Sequence, residues 1–291
     1  MGIFTMIALS TPLAFADSTR DAKLEFAGTL EETLGHFWAL EMNLDENNSM
    51  LAVVHATHPI SELYETMTEH LKDNPDFDQK LQRTLLELKD KASTDVSREE
   101  AQAAIDDAKV IIQEAREIVI GSELGVEDTF NMQLINGLLE TSKVEYKEAV
   151  EDGLIVEMAE FQDGSAFVWR SQQIFKSIET GLDPIDSERI NEYFEQIWSD
   201  FDNMANPDDV SNSIDTVIYE FEKLSGIQSV ASEHEEEVFG TLSPLKQLQD
   251  GIEPKDIRCK STMKLIFKQS GGPACVNISS VQKLLSWGWT Q

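Results

Sequence analysis

Five side chains in the first two thirds of this chain are of types that hold transition metals: His36, Glu41, His55, His58 and Glu157. His55 and His58 are three apart, so both imidazoles point to one side of a helix, and Pro59 places the pair at a helix end. Two imidazoles with carboxylates nearby suit iron, copper or zinc. The glutamates stand out for a different reason: each interrupts an apolar stripe. On a 3.6-residue period Phe26, Leu30, Phe37, Leu40, Leu44 and Leu51 share a face that also carries Glu41, Asn48 and His55. Tyr146, Val150, Leu154, Phe161 and Val168 form a second stripe, with Glu157 among them. A carboxylate in such a stripe is costly unless it is paired, protonated or bound to a cation. The plainer alternative is that each glutamate meets a lysine, an arginine or a backbone donor, and that the histidines cap helix ends.

Helix geometry decides which of these residues can act together. In an unbroken helix Glu41 and His55 stand about 21 Å apart at 1.5 Å per residue, too far to share one ion. If residues 45–49, Asp-Glu-Asn-Asn-Ser, form a turn, the chain folds back and His36 approaches His55 and His58. Both arrangements are open to the sequence.

The elements that position these residues are helices. From Asp17 to about residue 240 the chain is rich in Ala, Leu, Glu, Lys and Gln, poor in glycine, and keeps its prolines at breaks. The helical pattern also repeats. Lys23-Leu24-Glu25-Phe26 and Leu30-Glu31-Glu32 match Lys143-Val144-Glu145-Tyr146 and Val150-Glu151-Asp152 at an offset of 120 residues; at an offset of 116, Glu41-Met42 meets Glu157-Met158. The change of four is about one helical turn. Pro59-Ile60 and Pro184-Ile185 each open a shorter helix, and Asn74-Pro75-Asp76 and Asn206-Pro207-Asp208 each start another. Ser97-x-x-Glu100 has capping-box spacing and starts one more helix, whose counterpart in the second half is the acidic stretch at 232–239. The expected fold is therefore mainly α: a duplicated antiparallel helical bundle, with repeats at 17–133 and 134–240, followed by a small disulfide-closed α+β module at 241–291.

Composition narrows the function classes. Fifty-four acidic residues against 23 basic ones give a net charge of −31, a surface that repels phosphate backbones, disfavours nucleic acid and attracts cations. Residues 1–16 are uncharged and end in Ala14-Phe15-Ala16, a small-x-small site, so they read as a secretory signal too short to span a bilayer. Only Cys259 and Cys275 occur, and an even pair in an exported chain is most simply one disulfide, worth about 3 kcal/mol. Residues 263–268 read as a strand, 270–273 as a turn and 274–276 as the returning strand. No nucleophile elbow, phosphate-binding glycine loop or established metal signature is present, which argues for a non-enzymatic chain.

Two resemblances add to this reading. Ser243-Pro244-Leu245-Lys246-Gln247, Ile257-x-Cys259, Leu265-Ile266-x-Lys268, Gly272-Pro273-Ala274-Cys275-Val276 and Gly288-Trp289 resemble a C-terminal module of secreted proteins in ammonia-oxidising archaea, which implies an extracytoplasmic archaeal protein. The helical part resembles exported domains that accompany iron permeases and the imelysin-like proteins; these resemblances imply duplication and inward-facing His and Glu. The imelysin-type pattern is Gly-x-His-x-x-Glu, whereas here Gly35-His36 is followed by Glu41 five residues on. The leading expectation is an extracytoplasmic binding protein that holds iron or copper for uptake or storage. The alternatives are a cell-envelope interaction protein and a ligand-sensing bundle.

Overall fold

The structure, a computed structural model, describes residues 13–92 and 96–226, and beyond them 253–257, 259, 263–268, 271–277, 281, 285 and 289–290. The first twelve residues of the expected signal, the acidic stretch at 232–239 and the 243–251 motif lie outside the described residues. The chain divides into two compact units, 1–226 and 227–291.

The first unit is helical. Helix α1 (Leu13–Asp45) ends in a short turn, and α2 (Ser49–His58) returns from it. Asn47 takes a left-handed φ of 59°, and the Asn48 side chain accepts a hydrogen bond from the backbone N–H of Leu51 at 3.4 Å. Of the two arrangements open to residues 45–49, the chain takes the turn, because asparagine tolerates the left-handed conformation and then caps the next helix. Pro59 does not open a separate helix. A π-helical turn (Pro59–Leu63) carries α2 directly into α3 (Tyr64–His70). The other starts fall where expected: α4 (Pro75–Lys91) and α10 (Pro207–Ser225) begin at the Asn-Pro pairs, where Asn206 caps its helix through its side chain and Asn74 does not, α9 (Pro184–Asp202) begins at Pro184, and α5 (Arg98–Val119) at a complete Ser97/Glu100 capping box.

A short α6 (Ser122–Gly125) leads into α7 (Asp128–Ala149). The second long stripe expected from the sequence is interrupted after α7. Strands β1 (Val150–Glu151) and β2 (Leu154–Ile155) form a tight hairpin, with Asp152 and Gly153 at φ 52° and 75°, before α8 (Met158–Ile178) begins. An Asp-Gly pair meets the demand of that turn for two positive φ angles, which a helix cannot accommodate. The residue register of the duplication is therefore not carried into space: Glu31 and Glu32 lie inside α1, whereas Glu151 and Asp152 lie in the hairpin. Leu154, expected in the buried stripe, is 66% exposed.

The core lies where α1 meets α2, α5, α7 and α8, and where α10 packs on α7 and α9. Phe26, Leu30, Phe37 and Leu40 of α1 are fully buried, as are Phe175, Phe194 and Phe221. Glu31 is also buried, with Arg116 from α5 on one carboxylate oxygen and Arg170 from α8 on the other. Two glycines set how closely helices approach. A Cβ on Gly35 would stand 3.0 Å from the Phe167 ring, and one on Gly164 would stand 3.3 Å from the Ser142 carbonyl oxygen. The Ser142 hydroxyl donates to the Gly164 carbonyl at 2.8 Å across that contact. No helix among the described residues is long and apolar enough to cross a membrane.

In the second unit, β3 (Met263–Phe267) and β4 (Pro273–Asn277) form the antiparallel pair read from the sequence, with Leu265 opposite Cys275. Phe267 and Thr290 exchange backbone hydrogen bonds at 2.7 and 3.0 Å beyond it.

Gly164→Val is expected to force α7 and α8 apart and to lower stability by about 1–3 kcal/mol, the usual range for overpacking, read as a lower urea midpoint at unchanged slope.

Candidate metal centre

His36 comes from α1, one residue after the glycine that admits Phe167. His55 and His58 come from α2, which the turn at residues 46–48 lays back on α1. The imidazoles converge: ring centroids are 5.0 Å apart for His36 and His58, 5.8 Å for His55 and His58, and 6.1 Å for His36 and His55. The fourth member is Asp163 of α8, one residue before the glycine that seats α8 on α7. Its Oδ1 lies 2.7 Å from His36 Nδ1 and 3.0 Å from His55 Nδ1, and its Oδ2 lies 3.0 Å from His58 Nδ1. His36, His55 and Asp163 are buried, and His58 is partly so.

The electrostatics of the group are dominated by burial and by charge pairing. Burial alone would raise the Asp163 carboxyl, but the charge of His36 and the contacts with the three imidazoles outweigh it and hold the group far below the usual carboxylate range. Burial would lower His58. The hydrogen bond and charge of Asp163, with Glu62 and Glu160 adding to them, raise it above the ordinary imidazole value. A negative charge is thus fixed inside the bundle with three imidazoles around it.

The arrangement also fits a cation. Of the three N–O approaches, only that of His58 has hydrogen-bond geometry; His36 Nδ1, His55 Nδ1 and Asp163 Oδ1 are buried and lack an aligned partner despite their proximity. Donors that each stand about 2.0–2.2 Å from one first-row ion are brought to about 3–3.5 Å from each other. One ligand atom from each of the four residues lies within 4.8 Å of all the others. Three imidazoles and one carboxylate suit iron, copper, zinc or manganese better than calcium or magnesium, which take oxygen shells.

The two glutamates expected at this site are elsewhere. Glu41, on the last turns of α1, accepts from Lys109 Nζ at 2.8 Å and from Gln102 Nε2 at 2.8 Å, both on α5. Glu157 is exposed at the N-cap of α8. Their shared position in the sequence repeat has no counterpart in space, because one sits before a helix end and the other at a helix start. His70, on α3, stands apart against the Phe26 ring. The acid that joins the histidines is Asp163, and a signal for it was present: Asp163, Phe167, Ser171, Ile174 and Ile178 lie on one buried face of α8. Reading α7 and α8 as a single helix hid that face.

Near the site one carboxyl group holds its proton unusually tightly. Burial, a hydrogen bond with Glu160 and the charges of Glu160, Asp163 and Glu148 push Glu145 up to about 8. A cavity of about 520 Å³ opens between α1, α3 and α7, and its wall includes Glu32, one helical turn before His36.

In this mainly helical unit three histidines and one aspartate form a donor set that could hold a metal ion. The comparisons agree in part: residues 123–228, the segment from α6 to α10, match the iron permease-associated 4-helix bundle domain family. That description names no enzymatic activity. The matched segment carries Asp163 but none of the three histidines. No curated protein and no solved structure matches the chain.

Glu145 gives a pH prediction. Its folded pKa lies above the ordinary 4.5, so the stability tied to its proton is full below that value and lost as pH rises towards 8. Glu145→Gln is expected to raise the thermal midpoint of the metal-free protein at pH 8.5 relative to the parent and to leave it nearly unchanged at pH 4.

Proposed function

We propose that this protein is an extracytoplasmic metal-binding bundle that delivers iron to, or holds it for, an iron permease, with His36, His55, His58 and Asp163 as the ligands and the ion as its cargo. The observation that carries the reading is the convergence of three imidazole Nδ1 atoms on one buried carboxylate without a full set of hydrogen bonds. The match of residues 123–228 to an iron permease-associated family supports iron as the ion and a permease as the partner. A net charge of −31 supports the capture of cations outside a cell. Once their protons are displaced by the ion, the three imidazoles supply donors of intermediate softness and the aspartate supplies the compensating charge; together they fix the positions from which a cation is held. Export rests on residues 1–16. The wider architecture in this reading is two related sets of helices, α1 to α5 and α7 to α10, with the site drawing its histidines from one set and its acid from the other. The Asn-Pro-Asp starts support it, although they open the third helical segment of the first set and the fourth of the second. A Cys259–Cys275 bridge closing the C-terminal hairpin belongs to the same proposal. It is supported by the even cysteine count; intact-mass measurement after alkylation without reductant is expected to show no labelled cysteine.

The test is equilibrium dialysis of the mature chain against Fe(II) under anoxic conditions, with Cu(II), Zn(II) and Mn(II) in parallel, followed by elemental analysis. One ion per chain is expected. His36→Ala, His58→Ala and Asp163→Asn should each weaken retention by at least about tenfold, some 1.4 kcal/mol, while Glu41→Gln and Glu157→Gln should retain the parent affinity. Retention should fall on acidification because protons compete for the imidazole nitrogens. Negligible metal in the parent and all variants would remove the reading and leave the envelope-interaction alternative.

A further inference from the structure

We infer that Asn43 and Gln162 are positioning residues that hold His55 in the Nε2–H tautomer, which leaves Nδ1 bare and makes it the atom offered to a metal. The inference rests on the proposed metal site, but the tautomer itself can be read without any metal.

The reasoning starts from a backbone group whose role is unambiguous. The Ala39 carbonyl, one turn back in α1, can only accept, and an Asn43 amide atom lies 2.8 Å from it. That atom must therefore be the Asn43 nitrogen. The same nitrogen lies 2.8 Å from one terminal atom of Gln162, which must then be the acceptor, Oε1. The Gln162 nitrogen faces back towards Asn43 Oδ1 at 3.4 Å, completing an amide pair of consistent polarity. Gln162 Oε1 in turn lies 2.7 Å from His55 Nε2. An oxygen that only accepts requires a donor opposite it, so Nε2 carries the proton. The orientation of both amides and the tautomer follow from one carbonyl, with no free choice along the relay.

The consequence falls at the other end of the ring. In the neutral imidazole Nδ1 is a lone pair, and it faces the Asp163 carboxylate oxygen at 3.0 Å with 0% of the His55 side chain exposed. Two electron-rich atoms at that distance in a dry site repel unless a proton or a metal cation lies between them. The relay therefore does more than orient a ring: it withholds the Nδ1 proton that would satisfy Asp163, and so reserves the position for a cation. Partners of this kind on the remote nitrogen of a ligating histidine are the usual means by which metal sites set tautomer and ligand basicity.

The test combines long-range ¹H–¹⁵N NMR of the metal-free, ¹⁵N-labelled protein above pH 8 with Zn(II) affinity by competition against a chromophoric chelator. In the parent, His55 should show a protonated Nε2 and a bare Nδ1. Gln162→Leu, which leaves Nε2 without an acceptor, should shift His55 towards the other tautomer and weaken Zn(II) binding by about 10- to 100-fold. Gln162→Glu keeps an acceptor at the same place and should retain both the tautomer and most of the affinity, which separates the relay from mere packing; circular dichroism checks that each variant is folded. A protonated Nδ1 in the parent, or a Gln162→Leu protein with parental tautomer and affinity, overturns the inference. The expected tautomer in a parent that takes up no metal overturns instead the metal reading on which it rests.

Discussion

Everything distinctive about the first unit follows from placing one carboxylate, Asp163, inside a helical bundle. A charge removed from water needs compensation in the same place, and among the described residues no lysine or arginine is paired with it; Arg116 and Arg170, both partly buried, are engaged by Glu31. The compensation comes from three imidazoles, which differ from ammonium and guanidinium groups in that they can remain neutral and act as donors to a metal. A fixed acid surrounded by imidazoles is a group that could exchange a proton for a cation, whereas an arginine in the same position would have made a permanent salt bridge.

The demands of that group explain local choices that otherwise look like poor helix design. Gly35 and Gly164 lie in helix interiors, where glycine is unfavourable by roughly 0.5–1 kcal/mol relative to alanine. Each is the immediate neighbour of a site residue, His36 and Asp163, and each admits an opposing helix to a distance that a Cβ would obstruct. The turn at residues 46–48 serves the same end. By reversing the chain after α1 it brings His55 and His58 to the level of His36, and the π-helical turn that follows continues the helix past Pro59 without a break.

The polar residues around the site grade outwards from fixed to adaptable. Asn43 and Gln162 are tied to a backbone carbonyl, Glu62 is more than half exposed, and Glu145 of α7 is pushed up by burial and by Glu160 of α8. Negative charge thus lies in the buried interior, at Asp163, as well as over an acidic surface.

Much of this was legible in the residues. Helical character, the Asn-Pro and Ser-x-x-Glu starts, the β3–β4 hairpin and three histidines of the site follow from local chemistry, because caps, turns and helix periodicity depend on residues within about one turn of each other. The Asp-Gly turn at 152–153 was equally local and was masked by an apolar pattern that ran through it, so one long helix was expected where a hairpin divides two. What local chemistry could not supply was the fourth member of the cluster. Glu41 and Glu157 were matched by repeat position, but the repeat register is a property of the chain, whereas the distance from Asp163 to His36, 127 positions apart, is set by how α8 packs against α1 and α2. Which acid is paired with a lysine, which is exposed and which is buried beside three imidazoles depends on contacts between segments remote in sequence, and only the packed bundle determines them.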